Sequence, residues 1–112
     1  MKVDVTAAAR DFGFGMTVVI SAVRASTGKP IVGLGKSNFK VVVIQGPSGW
    51  SVGDDLTIDG GPFAPTDGVY AVSVTKGGDK LAAGQYTFAV IVKGTKDKVA
   101  LAGQTLTSAG MK

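Results

Sequence analysis

The segment "VGLGKSNFKVVVIQ", residues 32–45, decides the fold. Gly35-Lys36-Ser37 matches the close of a phosphate-binding loop, which would make the chain a nucleotide binder. That loop needs a glycine at the position held here by Pro30, and a helix after the serine whose backbone N–H groups hold the phosphate. The residues after Ser37 are instead "NFKVVVIQ", with Phe39, Val41 and Val43 alternating against Asn38, Lys40 and Val42, the period of a strand. The stretch therefore predicts an inter-strand loop, with Leu34 turned into the core and Phe39 opening the next strand.

The same period extends in both directions. Strands are expected at 3–6, 16–25, 56–59, 69–75, 85–93 and 99–108, with Tyr70, Val72 and Val74 inward on one and Tyr86, Phe88, Val90 and Val92 inward on another. "STGKP" (26–30), "GPSGW" (46–50), "KGGDK" (76–80) and "GTKDK" (94–98) supply turns. The stretch 46–67, broken only by the short strand at 56–59, reads as a long irregular loop, and "FGFG" (12–15) as a bulge or a crossover between sheets. No window carries helical periodicity, and the sequence predicts an all-β chain of about seven antiparallel strands.

Composition narrows the function. The 112 residues fit one domain spanning 1–112, and 45% hydrophobic against 18% charged residues excludes a wholly disordered chain. Cysteine and histidine are absent and all eight acids are Asp, which removes disulfides, cysteine or histidine metal sites and every histidine-based nucleophile pair. A non-enzymatic protein is the expectation. The net charge of +4 comes mostly from lysines in or beside turns, with only Arg10 and Arg24 as arginines, so solubility and edge protection are favoured over nucleic-acid binding. The stretch "MKVDVTAAARDF" lacks the apolar run of a signal peptide, and "VVVI" and "AVIV" are too short to span a bilayer, so membrane insertion is not expected.

Two motifs carry a family resemblance. "VISAVRASTGKPIVGLGKSNFKV" resembles the opening of bacterial immunoglobulin-like domains through Gly28, Pro30, Val32, Gly33, Leu34 and Phe39. "LAAGQYTFAV" looks like the tyrosine corner of such sandwiches through Leu81, Gly84 and Tyr86, and "DGVYAVSV" resembles their penultimate strand. The resemblance covers most of 16–107 and lacks a cysteine pair. It implies an immunoglobulin-like β-sandwich with Greek-key connections, although transthyretin-like sandwiches share nearly the same pattern. It also implies a structural or protein-interaction module of a surface, secreted or phage-associated assembly, with a protein partner.

Candidate sites are few. Asp54, Asp55 and Asp59 could offer oxygen ligands to calcium, but paired Asp residues in turns more often bond local backbone. Trp50, alone of its kind, could stack on a sugar in a carbohydrate- or small-ligand-binding module, or cover one end of the core. Neither pattern assigns a catalytic, cofactor or metal residue, and no cofactor is expected.

Overall fold

The computed structural model describes residues 1–47 and 49–112. Its elements are β1 (Val3–Asp11), β2 (Met16–Arg24), one 3-10 turn (Lys36–Asn38), β3 (Phe39–Gln45), β4 (Asp55–Thr66), β5 (Val69–Thr75), β6 (Gly84–Val92), β7 (Thr95–Lys96), β8 (Val99–Ala100) and β9 (Gly103–Met111). Seven strands form one antiparallel sheet in the order β1-β2-β5-β4-β3-β6-β9, and β7 and β8 make a separate small hairpin. The chain is thus all-β, as its periodicity predicts.

The sheet curls until its outer strands meet, so that it is nearly a barrel. At one end of the seam, Val3 N–H donates to the Ala102 carbonyl (2.9 Å) and Ala102 N–H to the Met1 carbonyl (3.0 Å). At the other, Lys112 N–H donates to the Asp11 carboxylate (3.0 Å). The approach is close enough that a Cβ on Gly103 would collide with the carbonyl of Val3, so only glycine fits there. The body is flattened, 25 Å by 19 Å across a 40 Å long axis.

Inside lies one cluster of β-branched and aromatic side chains. Met16, Val18, Ile20, Val41, Val43, Val72, Val90 and Phe88 share this cluster, all nearly inaccessible. Each such aliphatic contributes roughly 1.5–3 kcal/mol before chain entropy is subtracted. Phe39 packs on Tyr70 with ring centroids 5.2 Å apart, and Tyr86 stacks on Phe88 at 5.6 Å. Both tyrosine hydroxyls escape an unpaired burial. Tyr70 donates to the Ile31 carbonyl (2.6 Å) and accepts from Leu34 N–H (3.3 Å). Tyr86 donates to the Ala82 carbonyl (2.7 Å).

Several expected boundaries move. The expected loop 46–67 is a loop only to Asp54, because β4 runs on to Thr66. Its Gly60-Gly61-Pro62 run passes as strand because β4 there pairs only with β5, with register shifts that absorb residues without ladder partners. Residues 50–59 straddle both halves of the sheet: Leu56 pairs with Val41 of β3, Thr57 with Thr75 of β5. The strand at 3–6 continues to Asp11, held by an unbroken ladder with β2 from Val3–Arg24 to Asp11–Met16. "FGFG" is therefore a hairpin turn within one sheet, closed by Phe12 N–H on the Gly15 carbonyl (3.0 Å), and not a crossover. The last strand begins at Gly103 rather than 99, because Val99–Ala100 turns back on Thr95–Lys96.

Candidate functional site

In an antiparallel sheet with consecutive strands reversed, alternate connections fall at the same end. Connections 25–38, 67–68 and 93–102 therefore share one end, and 12–15, 46–54 and 76–83 the other. The first end gathers Lys2, Arg24, Lys29, Lys36, Lys93, Lys96 and Lys98, with Asp67 and Asp97 in the same connections. None of these cations is in a salt bridge among the described residues. Charges that look scattered along the chain make a basic cap.

The cap is built, not frayed. Tyr70 holds Ile31 and Leu34 from beneath, and Leu34 is buried as expected. Gly35 N–H donates to the Asn38 side chain (2.9 Å), Asn38 donates on to the Lys93 carbonyl (2.9 Å), and Lys93 Nζ donates to the Ser37 carbonyl (2.9 Å). The Gly-Lys-Ser segment is thereby locked to the start of the 93–102 connection, with the Gly35 N–H already engaged. Lys96 crosses over Gly33, where a Cβ would stand 2.8 Å from its Nζ.

Beside the cap, β4 leaves β3 after Leu56 to join β5, and the divergence opens a groove of about 610 Å³. Phe39, Leu56 and Ile58 floor it, and Lys36, Lys40 and Lys93 rim it. One carboxylate, Asp55, stands among them, 3.6 Å from Lys40. The tip of the β7–β8 hairpin adds a backbone feature. Asp97 (φ 53°) and Lys98 (φ 65°) are both left-handed, whereas every other described residue with positive φ is glycine. A lysine there costs roughly 1 kcal/mol that glycine would avoid. Positive φ at both positions is the conformation a two-residue hairpin loop between the paired Lys96 and Val99 takes.

The other candidates do not converge: Asp54, Asp59 and Trp50 lie toward the opposite end, whereas Asp55 stands in the groove. The Asp54 carboxylate accepts from Ser51 N–H (2.8 Å), Asp55 faces Lys40, and Asp59 accepts from the Thr75 hydroxyl (3.2 Å). No group of three or more acidic, histidine or cysteine side chains comes together among the described residues. Trp50 packs edge-on to Tyr86 (6.3 Å) with Lys76 Nζ over its ring at 5.0 Å, so its surfaces are spent on the core and on a cation. Asp11 is held below the usual carboxylate range by hydrogen bonds from the backbone N–H groups of Lys112 and Gly13. Phe12, Phe14 and Val52 stand exposed around these turns.

Sequence reasoning passes over the cap because it weighs each lysine in its own turn. The signal it could use is alternation: two of the three connections at this end, 25–38 and 93–102, carry the excess, whereas 67–68 carries only Asp67.

No protein-family model matches the chain, and no curated protein resembles it closely enough to count as a match. No helix is long and apolar enough to cross a membrane among the described residues.

Proposed function

We propose that this chain is a non-enzymatic recognition module of the immunoglobulin-like sandwich class, using its basic cap to hold an acidic surface of a protein partner. The class rests on two supports. The strand orders β1-β2-β5-β4 and β3-β6-β9 are similar to those of the two layers of such a sandwich, and the β3–β4 ladder that links them is two residue pairs long among the described residues. Tyr86, at the start of β6, donates back to Ala82 in the manner of a tyrosine corner. A module of a larger surface, secreted or phage-associated assembly is the setting that the class suggests.

The observation that carries the functional reading is the gathering of unpaired cations on one end, with a lysine held in left-handed backbone at its tip. A rigid sheet presenting charged loops suits recognition, and charge complementarity steers encounter and sets orientation. The test is retention on immobilised polyglutamate at low salt. Reversing Lys96 and Lys98 to Glu should abolish retention, whereas reversing Lys76 and Lys80 at the opposite end should leave most of it. Equal losses from the two reversals would mean that net charge alone is read, and the proposed site would fall.

A further inference from the structure

The broad outer face of β1-β2-β5-β4 is unpartnered, nearly uncharged and ordered in rows. The ladders place Ala8, Val19, Ala71 and Phe63 side by side across all four strands. Opposed residues of a ladder point to the same side, and Ala8 and Val19 are exposed while their neighbours Met16, Val18 and Ile20 are inside, so this row faces out. Phe63 ends it with 69% of its surface exposed. The next row outward is Thr6, Ser21, Val69 and Thr66, and both rows are low except where Phe63 stands up at the end of the first. The opposite outer face breaks its one apolar row, Val42-Ala89-Leu106, with Lys40, Gln85 and Gln104 on neighbouring outward positions.

β1 carries two free charges on this face, one near each end; Lys2 just before β1 and Asp59 on β4, which accepts from the Thr75 hydroxyl, lie beyond the two rows. Asp4, Thr6, Ala8 and Arg10 are its outward positions, and neither Asp4 nor Arg10 is in a salt bridge among the described residues. A two-fold axis running across the strands at the level of Ala7 superposes residue 4 on residue 10 and residue 6 on residue 8. Asp4 then meets Arg10 of a second copy, and Arg10 meets its Asp4. The Ala8-Val19-Ala71-Phe63 row lies over the Thr6-Ser21-Val69-Thr66 row of the other copy. The face is therefore complementary to itself in charge and in relief, as an isologous contact requires.

We infer that this face pairs with a second copy of the chain in a reversible antiparallel homodimer. Six residue steps along β1 span about 20 Å and three inter-strand steps about 14 Å, a footprint of roughly 280 Å² per copy, less than a stable dimer buries, so association is weak and concentration-dependent. The two-fold axis also directs the two basic caps to opposite ends, which keeps like charges apart.

The experiment is sedimentation equilibrium at low salt on the whole chain, over protein concentrations from roughly ten micromolar to roughly one millimolar. The wild type should show a monomer–dimer equilibrium. Arg10→Asp, which sets carboxylate against carboxylate twice in the dimer, should weaken association by about tenfold or more. Asp4→Arg should do the same. The double exchange Asp4→Arg with Arg10→Asp restores both pairs and should recover dimerisation, and Phe63→Lys should abolish it. Circular dichroism confirms that each variant is folded, and the exchanged sites are exposed. A wild type that stays monomeric throughout, an Arg10→Asp variant that dimerises like wild type, or a folded double exchange that fails to recover overturns the inference.

Discussion

The two ends of this molecule are built from the same materials and kept in different ways. At the basic end, Tyr70 sits wholly inside and spends its hydroxyl twice, on the Ile31 carbonyl and the Leu34 amide. At the opposite end, Tyr86 spends its hydroxyl once, on the carbonyl of exposed Ala82, and leaves Trp50 and Lys76 to cover the remaining surface. One end is pinned from within and presents charge. The other is capped from outside and presents Phe12, Phe14 and Val52. Loops that hold a surface of like charges gain from an internal anchor, because their charged heads repel one another and the Asn38 and Lys93 hydrogen bonds join only two of the connections.

Removing the anchors tests this most strongly. Tyr70→Phe leaves two buried backbone groups unpaired and should lower stability by about 2–3 kcal/mol, read from urea denaturation. The Leu34 amide should also exchange faster with solvent than in the wild type. Tyr86→Phe exposes a single carbonyl that water can reach, and should cost about 1 kcal/mol in the same assay. Equal losses would erase the distinction between an inner and an outer fastening.

A smaller effect of opposite sign is expected at the hairpin tip. Lys98→Gly relieves a left-handed side chain and should stabilise the fold by about 0.5–1 kcal/mol while weakening retention on polyglutamate. A variant that loses stability would show that Lys98 is held by contacts and not presented against strain. At the far end, Lys76→Ala removes the cation over Trp50 and should cost about 0.5 kcal/mol, with a change in Trp50 emission. The smallest effect is acidic. Asp11 titrates below its usual value in the folded chain, so its contribution is complete above the unfolded value of about 3.9 and fades as pH falls through the depressed folded value. Asp11→Asn should flatten that part of the acid unfolding curve and leave stability near neutrality little dependent on pH.

The periodic strands are legible because their burial is one-sided. β3, β5 and β6 lie where Phe39-Val41-Val43, Tyr70-Val72-Val74 and Tyr86-Phe88-Val90-Val92 place them. The strands at 3–6 and 99–108 are found with shifted boundaries. The inner face of β1 passes from Val3 and Val5 to Ala7 and Ala9 at the seam, so its alternation fades before Asp11, and small Gly103, Thr105, Thr107 and Ala109 do the same for β9. The far half of β4 is hidden by Gly60, Gly61, Pro62 and Pro65, tolerable only because that strand has a neighbour on one side. Among candidate sites, Trp50 does lie at an end of the core, whereas the basic cap has no local mark.

Neighbours two residues apart are enough to establish the strand class, the inward aromatic and aliphatic stripes and the reading of Gly-Lys-Ser as a turn. The folded arrangement alone settles that Lys29, Lys36, Lys93, Lys96 and Lys98 share one end, that Asp54, Asp55 and Asp59 part company, and that an outer face carries opposite charges along one strand. Those facts depend on strand direction and sheet order, which are fixed by long-range pairing and have no local signature.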